Sequence, residues 1–199
     1  MSKVIVLLSG GLDSAVCLAL ALSQGHEVQT LTFDYGQRHG WGEIAAAEQV
    51  AAHYSVPFER VKVPLEFGRS HLGPSTAEDW EGASPYYVPG RNTVLCSLAA
   101  GIAEARGFSS VWVGFNADDA EGFPDCRPDY LRALNEVLRL GTVAVPSIYA
   151  PLIYNSKCSI VERARELEAP INLTLSCYEG SNCGGCDSCR LRSEALGEL

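Results

Sequence analysis

The chain has 199 residues, 47% of them hydrophobic and 20% charged, an ordinary composition for one globular domain with a core of its own. Its formal net charge of -9 repels a long phosphate backbone, which argues against DNA or tRNA and for a small substrate. No apolar run reaches the roughly 20 residues a membrane span needs, and Met1-Ser2-Lys3 leads into a strand-like run rather than to a signal cleavage site, so a cytoplasmic location is expected.

Residues 4–8 are wholly apolar and stop at Ser9-Gly10-Gly11, the pattern of a strand buried on both faces and ended by a turn. Residues 13–22 carry Ala, Val and Leu at helical spacing, and Gly25 closes that helix. Residues 28–33 read as a second strand, 41–54 as an alanine-rich helix, and 58–63 as a third strand set off by Pro57. From 64 to 89 the chain is polar and irregular, with Gly73-Pro74, Gly82 and Pro85; a loop this long is expected to form a lid or a substrate wall. Residues 92–106 form an amphipathic helix ended by Gly107, 110–114 a strand, and 128–140 a helix ended by Gly141. Asn155 opens the last predicted helix, about 156–167. The alternation predicts an α/β fold, with a parallel sheet, right-handed crossovers and helices on both faces.

The first turn carries the chemistry. Leu8, Ser9, Gly10, Gly11, Leu12, Asp13 and Ser14 lie between a buried strand and a helix start, where free backbone N–H groups and the positive end of the helix dipole meet. Such a nest holds a pyrophosphate. Glycine at 10 and 11 lets the backbone approach the anion, and the Ser9 and Ser14 hydroxyls can donate to it. It is neither a Walker loop, since no Gly-Lys-Ser/Thr follows, nor a Gly-x-Gly-x-x-Gly fingerprint. The plain alternative is a tight turn with Asp13 as a helix cap. The hexapeptide from Ser9 to Ser14 resembles the PP-loop of the ATP pyrophosphatases, which hold the β and γ phosphates while a substrate oxygen attacks the α phosphorus.

Of eight cysteines, Cys17, Cys96, Cys126 and Cys158 are scattered, whereas Cys177, Cys183, Cys186 and Cys189 are spaced C-x5-C-x2-C-x2-C around Gly184-Gly185. Four thiolates without an open position describe a closed tetrahedral zinc site, structural rather than catalytic. A disulfide pair or a redox Cys-x-x-Cys is the competing reading. The division expected is an ATP-binding domain over 1–170 and a zinc-binding tail over 171–199 packed on it.

Further segments join these motifs in one order: Phe33-Asp34-Tyr35-Gly36-Gln37-Arg38-His39, Val88-Pro89-Gly90-Arg91-Asn92, Gly114-Phe115-Asn116-Ala117-Asp118-Asp119 and Gly122-Phe123-Pro124-Asp125-Cys126-Arg127-Pro128. Ala150-Pro151-Leu152-Ile153 with Lys157, and Leu173-Thr174-Leu175-Ser176-Cys177-Tyr178, complete the set. Together they resemble the 7-cyano-7-deazaguanine synthase family over residues 4 to about 192. The chain departs from the family's pattern in a shorter 177–183 loop and at Phe123, Glu121 and Asn155.

The resemblance implies a Rossmann-like sheet of the adenine nucleotide alpha hydrolase type with a C-terminal four-cysteine zinc knuckle. It also implies conversion of 7-carboxy-7-deazaguanine, ammonia and ATP to the 7-cyano base, with zinc, Mg²⁺ and a homodimer. On that reading Lys157 and Arg91 neutralise charge at the α phosphate, their alternative being solvated surface cations. Asp119 and Asp125 pair with the guanine-like edge and Arg127 grips the carboxylate, unless Asp125 and Arg127 pair with each other. Asp13 also stands near magnesium, Phe33 and Tyr35 frame adenine or belong to the core, and His39 is a candidate proton shuttle or a surface or capping residue. Three other readings stay open: a PP-loop enzyme modifying tRNA, a relative joining a deazaguanine to a macromolecule, and a non-catalytic zinc-knuckle module.

Overall fold

Parallel strands β1 (Lys3–Leu7), β2 (Glu27–Asp34), β3 (Phe58–Lys62), β4 (Ser110–Trp112) and β5 (Ser147–Tyr149) form one sheet in the order β3-β2-β1-β4-β5. This is a computed structural model, and it describes residues 1–65, 84, 86–180 and 182–197. The helices are α1 (Leu12–Ser23), α2 (Gly40–His53), α3 (Arg91–Arg106), α4 (Asp119–Gly122), α5 (Pro128–Gly141), α6 (Lys157–Glu166) and α7 (Asp187–Leu196). Short 3-10 turns lie at Pro124–Cys126 and Ile171–Leu173. Most of the segment expected to be a lid, residues 66–83 and 85, lies outside the described residues.

The apolar run of β1 is explained by its central place. Val4, Val6 and Leu8 pack with α1, α2 and α6 on one face, while Ile5 packs with α3 and α5 on the other. All four side chains are at most 1% exposed. Both faces must therefore be apolar, and strand periodicity disappears from the sequence.

Four sequence expectations need correction. The helix from about 156 to 167 is not the last, because α7 follows it, opening at Cys186 within the knuckle. The sheet also holds β5, whose three residues alternate exposed, buried and exposed with Ile148 alone in the core, too short a pattern to register. Ser156, not Asn155, caps α6: its Oγ accepts from Ser159 N, while Asn155 donates to the Ser159 hydroxyl at 3.2 Å. Strands β1 and β4 stop one or two residues early, although Leu8 N still reaches Leu31 O at 2.8 Å and Val113 N reaches Tyr149 O at 2.9 Å.

From β1 the chain steps to β2 and β3 on one side, then crosses over to β4 and β5 on the other. The order reverses between β1 and β4, and open parallel sheets bind ligands in the crevice beyond the carboxyl ends of strands at such a point.

Candidate active site

The turn after β1 opens into that crevice. Gly11 caps α1 with extended backbone, so Asp13 is the second helical residue and not the cap. Gly10 has φ +88°, and a Cβ there would sit 2.3 Å from the Glu43 carbonyl oxygen of α2. Only glycine allows loop and helix to approach this closely. A Cβ at Gly114, after β4, would likewise lie 2.9 Å from the Asp13 carbonyl carbon and Ser14 N, which fixes β4 against the start of α1.

The Ser14 hydroxyl ties the loop together. It donates to Gly11 O at 2.9 Å and accepts from Ser9 N at 3.2 Å, while Ser9 Oγ lies 3.1 Å away. The N-terminus of α1 thus faces a cleft of about 250 Å³ lined by Leu8, Ser9, Asp13 and Ser14 from this side.

Across it, the first residue of α6 supplies a buried cation. Lys157, 9% exposed, places Nζ 2.7 Å from Asp13 Oδ2, and its backbone N donates to Asp118 Oδ2 at 2.6 Å. Burial opposes the ammonium charge, but Asp13 and Asp119 outweigh it and hold the Lys157 pKa above its usual value. Asp13 Oδ1 is buried with no partner among the described residues. Asp119 opens α4, anchored by Asn116, whose amide donates to Asp119 Oδ2 at 2.7 Å and whose Oδ1 accepts from Asp119 N at 3.0 Å. Burial pushes the Asp119 carboxyl up to about 6, with Asp13 and Asp118 adding to the effect and Lys157 opposing it.

The far wall comes from the loop after β2. Gln37 is buried and organises it: Oε1 accepts from Tyr35 N at 2.9 Å, and Nε2 donates to Phe33 O and Glu43 Oε2, both at 3.3 Å. Arg91 donates to Tyr35 OH at 3.1 Å, with its guanidinium 5.7 Å from the ring centroid. Burial raises the Glu43 pKa. Phe33, Tyr35, Gln37, Glu43 and Arg91 all line the cleft.

The C-terminal segment is bonded to the phosphate loop. Leu175 N donates to Gly10 O at 2.8 Å, and Leu12 N donates to Ser176 Oγ at 3.4 Å. Arg192 of α7 braces this segment through Thr174 Oγ1 at 2.7 Å, Ser176 Oγ at 3.2 Å and Ile171 O at 2.7 Å. Beyond it the Sγ atoms of Cys177, Cys183, Cys186 and Cys189 lie within 4.8 Å of one another. A tetrahedral zinc thiolate site separates its sulfurs by about 3.8 Å, given Zn–S bonds of about 2.3 Å, so the cage is close to that size. Backbone N–H groups of Glu179 and Cys183 donate to Cys177 Sγ, each at 3.3 Å, and Cys186 N donates to Cys183 Sγ at 3.4 Å. Such donors stabilise thiolates. The donor set fits a structural ion.

Comparison with known proteins agrees. The family model for queuosine biosynthesis protein QueC matches residues 3–199. The chain belongs to this family. Curated family members named 7-cyano-7-deazaguanine synthase include one from Dechloromonas aromatica, 45% identical over 98% of this chain and 94% of its own length. Those from Microcystis aeruginosa and Thermoplasma volcanium are each 44% identical over 98% of this chain, covering 90% and 87% of their own lengths. Among solved structures, the fold is shared with a predicted subunit of tRNA methyltransferase from Methanocaldococcus jannaschii, at TM-score 0.56 and 18% identity, covering 83% of this chain and 75% of that one. A 4-thiouridine synthetase, solved with RNA and bound ATP, matches at TM-score 0.55 and 19% identity over 98% of this chain and 53% of its own. The fold of this QueC family member is therefore a Rossmann-like parallel sheet, shared with these two proteins, with a four-cysteine C-terminal cluster.

Of the residues singled out in the sequence, Leu8, Ser9, Asp13, Ser14, Phe33, Tyr35, Arg91 and Asp119 line the cleft. Lys157 reaches it through Asp13. Asp125 and Arg127 line neither the cleft nor each other's side chains: Asp125 Oδ2 accepts from Asn92 N at 3.2 Å, and the exposed Arg127 donates to Ala120 O at 3.0 Å. His39 is the N-cap residue of α2, without a side-chain cap bond, and its Nε2 lies 3.8 Å from Glu179 Oε2. Gln37 and Glu43 escaped the sequence reading. Their signal was the family segment around Gln37 and a carboxylate on the first turn of an alanine-rich helix.

Proposed function

We propose that this chain makes 7-cyano-7-deazaguanine from 7-carboxy-7-deazaguanine and ammonia, using ATP to activate an oxygen twice. The observation that carries the reading is the match to QueC over residues 3–199, borne by a chain whose phosphate loop, Lys157 and Asp119 border one crevice.

A carboxylate resists amination because it would have to expel oxide. Its oxygen instead attacks the α phosphorus of ATP, pyrophosphate leaves, and the acid becomes an AMP ester. Ammonia displaces AMP and yields the amide. The amide oxygen attacks a second ATP in the same way, and loss of AMP and of both amide protons leaves the nitrile. Each stage rests on positioning and charge stabilisation.

In this scheme the N–H groups of Gly10, Asp13 and Ser14, left over by the bonds within the loop and to Ser176, hold the leaving pyrophosphate together with the α1 dipole. Lys157 and Arg91 offset charge at the α phosphate, and Phe33 and Tyr35 frame adenine. Asp119 is the base that takes protons from the attacking nitrogen and from the amide. Asp125 ties the turn that carries Cys126 to Asn92 of α3, Arg127 ties it to Ala120, and both bear on the substrate through that turn. The unpartnered Asp13 Oδ1 fits one magnesium ligand, the usual arrangement being one or two carboxylates plus phosphates. Magnesium there would neutralise phosphate charge.

Zinc is the ion for the knuckle, closed and structural, with 171–199 acting as a tail mounted on the 1–170 domain. The protein works in the cytoplasm as a homodimer, on small molecules and not on nucleic acid. No described helix is long and apolar enough to cross a membrane.

The test supplies ATP, magnesium, ammonium and 7-carboxy-7-deazaguanine to the metal-loaded protein and follows the base by mass spectrometry. Nitrile formed with AMP and pyrophosphate, and lost in Asp13→Ala and Lys157→Ala, is the expected result. A base left untouched while pyrophosphate still forms would sink the substrate assignment; a stable amide would move the reading to an enzyme that joins a deazaguanine to a larger acceptor.

A further inference from the structure

Tyr178 has no part in the scheme above, yet it stands where the knuckle meets the cleft. It directly follows Cys177, and two residues before it Ser176 is bonded to Leu12 of the phosphate loop. Its ring stacks on Tyr86 with centroids 4.1 Å apart and planes inclined by 28°. Neighbouring bonds hold the turn: Gly180 N donates to Cys177 O at 3.1 Å, and Tyr86 OH donates to Glu179 Oε1 at 3.4 Å. The hydroxyl of Tyr178, by contrast, has no hydrogen-bond partner among the described residues.

A second cavity, of about 390 Å³, lies beside the first and is lined by Asp118, Asp119, Glu121, Lys157 and Asp187. Among the described residues only Asp119 and Tyr178 border both. One cavity holds the phosphate loop. The other presents carboxylates, which repel ATP and attract a small cation such as ammonium. An ammonium drawn into the acidic cavity and an acid activated at the phosphate loop would meet beside these two side chains.

We propose that Tyr178 donates a hydrogen bond to the acyl oxygen as ammonia adds to the AMP ester, and that the cysteine knuckle serves as its mount. This rests on the reaction proposed above. Ammonium first gives one proton to solvent; the resulting ammonia bonds through nitrogen to the acyl carbon, and the carbonyl electron pair moves onto oxygen, where the phenol stabilises it. The oxyanion collapses, the bond to the AMP oxygen breaks, and the surplus proton passes from nitrogen to Asp119. Tyr178 supplies the donor and Asp119 the acceptor, a division of labour that a hydroxyl with a free proton and an adjacent carboxylate can perform.

The test compares wild type with Tyr178→Phe, which removes the hydroxyl and keeps the stack on Tyr86. Two half-reactions are read on metal-loaded protein: pyrophosphate exchange into ATP with the carboxylate substrate, and ammonium-dependent amide formation in a single turnover. The variant is expected to keep its metal and its exchange rate within about twofold and to lose about 10²-fold in amide formation, the usual cost of one oxyanion donor. Equal slowing of both half-reactions, no slowing of either, or loss of the metal would overturn the proposal while leaving the synthase reading standing. Wild-type protein that exchanges pyrophosphate but never incorporates ammonia would overturn that reading, and this inference with it.

Discussion

Lys157 and Asp13 stand 2.7 Å apart with side chains only 11% and 20% exposed, so neither can lose its partner to water cheaply. Breaking one side of a buried pair costs about 3–5 kcal/mol. Lys157→Met should therefore lower the melting temperature as well as activity, and a variant with unchanged stability would mean the pair is wetter than its geometry suggests. Asp119 makes a different prediction because its pKa is raised to about 6. A base must be ionised, so amide formation should rise as pH climbs through about 6, and Asp119→Asn should flatten that limb. The same shift sets the sign for stability. The folded state binds the proton more tightly than the unfolded chain, so the carboxylate destabilises the fold above about 6 and ceases to do so as pH falls through its unfolded value. Asp119→Asn should gain thermal stability over wild type at pH 8 and lose that gain toward pH 4, as read by melting curves across pH. Sequence alone pointed to Lys157 and Asp119 through their motifs but could not foresee that burial would make one a paired ion and the other a weak acid, since the Asp13 that pairs with one and repels the other comes from a distant segment of the chain.

At the level of elements, the phosphate loop is rigid because α2 leans on it and the tail hydrogen-bonds to it. Gly10→Ala puts a methyl group 2.3 Å from the Glu43 carbonyl at φ +88°, so α2 must shift. A strained φ alone costs about 1–3 kcal/mol. The variant should melt earlier and bind ATP weakly in calorimetry. Metal removal reaches the loop by another route: Cys186 opens α7 and Cys189 lies in it, while Arg192 of the same helix braces the segment whose Leu175 holds Gly10. Chelation should reduce helical circular dichroism and ATP affinity together, and an unchanged affinity would separate knuckle from loop. The elements that sequence patterning identified were those with long apolar periodicity or glycine punctuation, such as α1, α3 and the central β1. It missed β5, held in register by Val113 N on Tyr149 O, and α7, whose ordering depends on four thiols folded around one point. The bond that holds β5 leaves no local pattern, and α7 buries only Cys189, so no apolar stripe marks it although the cysteine spacing beside it is plain.

For the whole molecule, the parallel order β3-β2-β1-β4-β5 makes the crevice, and its two cores hold the helices that border it. Alternating strands and helices made the parallel sheet legible, but the position of the switch between β1 and β4 depends on which way the long crossover turns, and the 64–89 segment carries no pattern that says so. The outer side of the second core leaves apolar side chains facing outward: Val94 and Leu98 on α3, Val137 and Leu140 on α5, the last two 61% and 72% exposed. Scattered exposed aliphatics are common, but pairs spaced four and three residues apart give each helix an outward apolar stripe next to its buried one. A second copy covering both helices would remove them from water at about 25 cal/mol per Å² of apolar area. The proposed homodimer is therefore expected to use this side, and Leu140→Glu to convert a dimer to a monomer in light scattering after gel filtration while leaving the melting curve of the monomer cooperative. A dimer that persists in Leu140→Glu would move the interface to another face, and wild-type protein that runs as a monomer at tens of micromolar would remove the dimer altogether.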